Sequence, residues 1–438
     1  MKSVFVFVLF IVISSSTATS QAQNTFNNLE SCWEYALEHH LPTLQNKEKI
    51  NVAHLQQQAT QGALLPQIKT FANLDYYYAL PVQLIPAEVF GGAAGTYREL
   101  RFGTDYTLNL TAELSLPIVN FSLWNNLKQA RAQSEIAQMQ YELQTHLLKE
   151  QIAKWYYLSL LARYALDISE QNLKSSDTLY QNAQKRYAEG SIEKLELNRI
   201  QALQLQASRQ KNQNEWILQQ NQTQLKLWMG IPAEENTIFS EELNRQLPTL
   251  DNIILDYQTA PEYRLKLEEL ALQSLLISTE KQKRLPEIAL YARYTQQAQR
   301  NQFDFFEANK SWFNIGLVGM RIDIPIFAGF QKNKNIKKVI LQEKITTLQK
   351  EQIVLEQKSQ NHLLAEEHKK NTENLLKVIE NYQLSEENYH IAQLKYEQGL
   401  YSVDQLITLY QEQSQAQNDY LKHLADFWAT YTQIEINK

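Results

Sequence analysis

Helix breakers are scarce in this chain. Its 438 residues include only 11 Gly and 10 Pro, and no proline falls between Pro117 and Pro232 or after Pro325. Glycine is nearly missing from the same stretches, with Gly190 and Gly230 in the first and Gly329 and Gly399 in the second. Inside a helix proline costs about 3 kcal/mol and glycine about 1, so these stretches predict very long helices, each interrupted once. Cys32 is the sole cysteine, which excludes an intrachain disulfide, and it lies too far from the apolar N-terminal run to be a lipid-attachment site. No apolar run approaches the roughly 20 residues of a membrane-spanning helix. With a mean hydropathy of -0.45, that excludes a polytopic helical membrane protein. An excess of basic charge is absent too: 42 Lys and Arg stand against 48 Asp and Glu, a formal net charge of -6. Nucleic-acid binding therefore has no electrostatic footprint.

What is present begins with an export signal. Val4 to Ile13 is apolar, follows Lys2 and leads to small residues, with Ser20-Gln21-Ala22 fitting a cleavage site. Residues 1–22 read as a secretory signal peptide. The remainder repeats itself. Leu65-Pro66-Gln67-Ile68 returns as Leu285-Pro286-Glu287-Ile288, Leu116-Pro117-Ile118 as Ile324-Pro325-Ile326, and Arg186-Tyr187-Ala188-Glu189-Gly190 as Lys395-Tyr396-Glu397-Gln398-Gly399. Landmarks returning in the same order after roughly 210 residues mark a tandem duplication. The predicted boundaries are 23–232 for the first repeat, 233–258 for a linker and 259–438 for the second repeat.

Each repeat has one internal order. A helix comes first, Glu30 to about Leu64 or Glu262 to about Arg284. Two alternating segments follow, near 67–78 and 105–117 in one repeat and 287–296 and 312–325 in the other. Then comes a helix from Trp124 to about Glu189, or Gln331 to Gln398, about 100 Å long at 1.5 Å per residue. A glycine tip near 190 or 399 turns the chain into a returning helix. From Tyr106 to Leu116 every even position is apolar or aromatic and every odd one polar. That run of eleven residues has the length and alternation of a strand that crosses a bilayer tilted. Leu108, Leu110, Ala112, Leu114 and Leu116 are expected to face lipid, and Asn109, Thr111 and Glu113 a lumen. Tyr76, Tyr77, Tyr78, Phe102, Trp312 and Phe313 lie at strand ends, where an interfacial aromatic girdle belongs. In the last strand the apolar parity changes between Leu317 and Val318, which predicts a bulge near Gly316 to Gly319. Four strands cannot close a barrel, and lipid tolerates no open edge, so the count requires oligomerisation: eight strands from two copies, twelve from three.

These pieces taken together resemble the TolC-like outer membrane efflux proteins over essentially the whole mature length. The matching residues are the Leu-Pro step before each first strand, the strand ends Leu116-Pro117-Ile118-Val119-Asn120-Phe121 and Ile324-Pro325-Ile326-Phe327-Ala328-Gly329, the two Tyr-x-x-Gly tips, and Leu227-Trp228-Met229-Gly230-Ile231-Pro232. The resemblance implies an α+β membrane protein: a homotrimer whose 12-stranded β-barrel, four strands per chain, continues into a long antiparallel α-helical coiled-coil tunnel. It implies outer-membrane lipid around the barrel, a periplasmic adaptor at the tips Arg186, Tyr187, Gly190, Lys395, Tyr396 and Gly399, and an inner-membrane pump beyond. It implies as well a periplasmic gate in which Tyr396 bonds to Glu196. The family's latch arginine is replaced by Tyr401, and its ring of acids by Gln405 and Thr408, with Asp404 one residue earlier as a substitute.

The tip glycines also have a plain structural reading as left-handed helix caps. Enzymatic readings lack support: there is no phosphate loop, nucleophile elbow or paired zinc cysteines. The eight histidines are scattered, and His362 shares a helix face with Glu366 rather than with His368. No catalytic residue, metal site, cofactor or nucleic-acid partner is expected. Three functions compete: an exit duct energised by an inner-membrane pump, a stand-alone diffusion pore, which has no use for helices of that length, and a soluble coiled-coil adaptor, which has no use for barrel strands.

Overall fold

The computed structural model describes residues 24–243, 247, 248, 250 and 255–437; the signal-peptide expectation lies outside them. In chain order the elements are β1 (Asn24–Phe26), α1 (Leu29–His39), α2 (Leu41–Gly62), β2 (Gln67–Tyr76), β3 (Val82–Pro86), a 3-10 turn (Ala87–Phe90), β4 (Tyr97–Arg101), β5 (Tyr106–Val119), α3 (Phe121–Ala188), α4 (Lys194–Met229), β6 (Thr237–Phe239), α5 (Pro261–Gln282), β7 (Glu287–Arg300), β8 (Phe313–Asp323), α6 (Gln331–Glu397) and α7 (Val403–Asn437). They divide into two compact units, one formed by residues up to Leu41 with Leu148–Ile253 and Glu366–Ile436, the other by Pro42–Leu147, Ile254–Ala365 and the last two residues.

The first unit is helical apart from one small strand pair, and its ends are chemically specified. Helix α3 starts in the second unit, where the Asn120 side chain accepts the Leu123 N–H at 2.8 Å. At its far end Gly190 adopts φ 74°, while the Ser191 N–H reaches the Arg186 carbonyl at 2.8 Å and the Gly190 N–H reaches that of Tyr187 at 3.0 Å. That is a Schellman cap. Gly399 repeats it at φ 75°, with Leu400 N–H on the Lys395 carbonyl and Gly399 N–H on that of Tyr396, both at 2.9 Å. Gly230 closes α4 in the same conformation, and a Cβ there would sit 2.6 Å from the His39 carbonyl oxygen; only glycine lets α1 and α4 approach. Along α7 the buried positions Val403, Leu406, Tyr410, Gln413, Gln417, Tyr420, Leu424 and Phe427 alternate spacings of three and four, the a/d pattern of a coiled-coil seam. Three apolar clusters fill this unit, built around Ile200 and Leu406, around Ile152 and Met229, and around Leu375 and Phe427. Cys32 is fully buried in the second cluster, and burial pushes its thiol up to about 12, leaving it inert.

Two expectations are corrected here. The single helix from Glu30 to Leu64 is two, because Pro42 cannot supply an N–H to the turn before it and His40 is extended at ψ 110°. The linker at 233–258 is not mere connection: β6 pairs in parallel with β1, Phe26 opposite Phe239, and the two rings stack at 5.8 Å.

The second unit carries a four-stranded antiparallel sheet in the order β2-β5-β7-β8. The predicted bulge between Gly316 and Gly319 is absent, since β7 and β8 stay in one register from Glu287↔Asp323 to Gln297↔Phe313. The irregularity falls instead in β5, between Pro117 and Val119. Proline lacks the N–H a ladder needs. Gly319 has another purpose: it faces Tyr291, whose ring would lie 2.7 Å from a Cβ at that position. The parity change in β8 therefore stands without a bulge, and Phe313, Ile315 and Leu317 lie on the same face as Asn109, Thr111 and Glu113.

Candidate functional site

Side chains directly opposite one another in neighbouring strands share a face of the sheet. One face carries Ile68, Leu74, Leu108, Leu110, Ala112, Leu114, Leu116, Leu290, Ala292, Tyr294, Val318, Met320 and Ile322, interrupted by Gln296 and Asn314 towards the loop end. The other carries Lys69, Asn73, Thr107, Asn109, Thr111, Glu113, Arg293, Thr295 and Gln297. Their exposure is inverted relative to a water-soluble sheet. Val318 is 83% exposed, and Ile68, Leu74, Leu110, Met320 and Ile322 are exposed as well, while Thr111 is 6% exposed and Thr107 and Thr295 are also buried. The polar face satisfies itself: Thr111 and Thr295 share a hydroxyl bond of 3.0 Å, the Gln297 amide donates to the Asn109 side chain at 2.9 Å, and Glu113 accepts from Lys69 and Arg293. The strands β2 and β8 each have a sheet neighbour on one side only.

The tips of the two helical hairpins form the second site, within the helical unit. Glu193 to Glu196 begin α4 beside the C-terminal end of α6, and the Tyr396 hydroxyl donates to Glu196 Oε1 at 2.7 Å. The phenol is pushed up by burial first and by the Glu196 carboxylate second, so it stays protonated and a donor. Arg186 lies over the Tyr396 ring, 5.4 Å from its centre, and Lys194 over that of Tyr187 at 5.3 Å. Lys395 sits over Tyr401 at 4.8 Å. Asp404 is ion-paired to Arg199.

Sequence reasoning brings Glu196, Tyr396 and the glycines to one place, and the structure brings them there. It treats the remaining tip residues differently. Tyr187 is 41% exposed but Tyr396 only 4%, so the two tip tyrosines are not equivalent surfaces. Gln405 caps a helix: its side-chain oxygen accepts the Ser402 N–H at 2.9 Å while the Ser402 hydroxyl accepts the Gln405 N–H at 3.3 Å. The Ser-x-x-Gln signature of a capping box was legible in the chain. Arg199 was missed altogether. Its signal was its place three residues after Glu196, on the same face of α4. Of the histidines, His368 is buried and bonds Thr430 at 3.0 Å, and among the described residues no group of three or more potential metal ligands converges.

The sequence profile of the outer membrane efflux proteins matches residues 36–231. Over those residues the chain resembles that family. It is a family of transport ducts and not of enzymes. No curated protein sequence matches, but solved structures do. The CmeC outer membrane channel of Campylobacter jejuni superposes with a TM-score of 0.74 at 14% identity, over 93% of this chain and 85% of that one. The open state of the MtrE outer membrane channel of Neisseria gonorrhoeae gives 0.71 at 14%, over 93% and 88%. The outer membrane protein VceC of Vibrio cholerae gives 0.70 at 14%, over 93% and 94%. The chain therefore shares its fold with these channels over 93% of its length.

Proposed function

We propose that three copies of this chain form the exit duct of a tripartite efflux or type I secretion system. The reading divides the chain as the repeats suggest: signal peptide 1–22, repeats 23–232 and 259–438, and the segment 233–258 between them. One observation carries it: a sheet with exposed aliphatic side chains such as Val318, Met320 and Ile322 on one face, buried threonines on the other, and two edge strands with a neighbour on one side only. In lipid an open edge costs several kcal/mol for each unsatisfied backbone group, so β2 of one copy is to pair with β8 of the next. Leu108, Leu110, Ala112, Leu114 and Leu116 then face outer-membrane lipid, and the helices form a tunnel in the periplasm. The duct itself is passive, an inner-membrane pump supplying the energy through a periplasmic adaptor.

The adaptor meets the exposed surface of the tips, with Tyr187, Arg186 and Lys395 as contacts and Gly190 and Gly399 as the turns that present them. Tyr396 acts behind that surface, in a gate with Glu196, while Asp404 and Arg199 form a further tie and Gln405 holds the start of α7. Replacing Tyr187 with Ala, together with reversing Arg186 and Lys395 to Glu, is expected to abolish export in cells while the trimer still reaches the outer membrane. Unimpaired export by that variant would leave the tips as helix caps only. The gate is tested separately: Tyr396→Phe with Glu196→Gln raises single-channel conductance in a planar bilayer if that bond holds the mouth shut.

A further inference from the structure

Charge on the polar face of the sheet is concentrated at one level. Lys69, Glu113 and Arg293 are directly opposite one another on β2, β5 and β7, with Leu317 completing the row on β8. Lys69 Nζ approaches Glu113 Oε1 at 3.0 Å, and Arg293 donates through Nε at 3.0 Å and Nη2 at 2.6 Å to Oε2. Each carboxylate oxygen therefore serves a separate cation, and the row retains one net positive charge. The charges are also unequally displayed. The Lys69 and Arg293 side chains are 66% and 45% exposed, that of Glu113 14%. The rows on either side are neutral: Phe71, Thr111, Thr295 and Ile315 towards the loops, and Gln67, Ser115, Tyr291 and Gly319 towards the helices. The acids of this face, Asp75, Glu287 and Asp323, sit at strand ends, and Asp323 is paired with Arg321 at 2.9 Å.

We propose that Lys69 and Arg293, anchored over Glu113, form a cationic belt in the lumen that selects for anionic cargo. The inference rests on the barrel reading above, in which the polar face lines the lumen and each copy adds one net positive charge at the same height. A ring of fixed charge inside low-dielectric walls raises the local concentration of ions of opposite sign and repels the others. Glu113 is the positioning residue: it holds both cations at one height on the wall of the channel.

The test is the reversal potential of the purified full-length protein in a planar bilayer under a potassium chloride gradient. Lys69→Gln with Arg293→Gln turns the row from one net positive to one net negative charge per copy and is expected to lower the chloride-to-potassium permeability ratio about tenfold, the size expected for removing two screened charges per copy at nanometre range. Lys69→Gln alone moves it in the same direction, and because that side chain is largely exposed it serves if the double variant does not insert. Glu113→Gln moves the ratio the other way. A conducting double variant, or a conducting Lys69→Gln, with an unchanged reversal potential overturns the belt while leaving the duct intact. A protein that forms no channel either as wild type or with Tyr396→Phe and Glu196→Gln together overturns the duct and the belt together.

Discussion

The two glycine tips share a backbone and differ in how their tyrosines are buried and bonded. Gly190 and Gly399 have φ of 74° and 75° and close the same pair of cap bonds. Yet Tyr187 projects outward under Lys194, while Tyr396 is packed into the cluster of Leu197, Ile200, Val403 and Leu406 and bonded to Glu196. The shared motif preserves the turn, whose geometry depends on local backbone bonds. It did not preserve the tyrosine's role, which depends on the neighbouring hairpin. A motif repeated in sequence thus specifies a repeated local structure, and the two copies diverge wherever the environment is non-local.

Substitutions can break or sharpen that contrast. Truncating the buried ring, Tyr396→Ala, is expected to cost about 3 to 5 kcal/mol, read as a fall in the opening free energy of nearby amides by hydrogen exchange. Tyr187→Ala should change the same amides by no more than about 0.5 kcal/mol. Equal losses would mean that the tips are equivalent after all. Removing only the hydroxyl, Tyr396→Phe, should cost about 1.5 kcal/mol for a bond to a charged acceptor. That bond also gives the tip a pH dependence. The fold raises the Tyr396 phenol above its ordinary value, so its contribution is complete below about pH 10 and fades as the pH climbs further. Corrected for the intrinsic base-catalysed rate, amide protection near the tip should fall in that alkaline range in the wild type and hold steady in Tyr396→Phe.

Gly190→Ala and Gly399→Ala should each cost about 1 kcal/mol for placing a Cβ in the left-handed region, and by the same amount at both tips. Unequal costs would show that even the backbone has diverged. Arg199→Ala should have the smallest effect, under about 1 kcal/mol, because both partners of the Arg199–Asp404 pair are exposed and such pairs are screened. A larger loss would place that pair, rather than the Tyr396 bond, at the centre of the closed tip.

Much of the fold was legible because its signals are local or periodic. The long helices follow from missing proline and glycine, the strands from strict alternation, and the duplicated order from landmarks such as Leu65-Pro66 and Leu285-Pro286. Errors arose where one residue altered a regular pattern: Pro42 split the first helix, and Pro117, not the glycines of β8, disturbed the ladder. Gly319 was misread because its partner, the Tyr291 ring, lies on another strand. The site was legible to the extent that family resemblance named Glu196 and Tyr396. Arg199, Ser402 and the Lys69–Glu113–Arg293 row had no such pointer.

By itself, then, the sequence determined the class of structure: long helical hairpins, and strands with one apolar and one polar side. These follow from propensity and period, which act over a few residues and survive without any knowledge of neighbours. Tertiary structure alone decided which side of the sheet is exposed, where Glu113 finds its two cations, and which tip tyrosine is buried. The Glu113–Arg293 and Glu196–Tyr396 bonds join residues 180 and 200 positions apart in the chain, and no local pattern encodes a meeting of that kind.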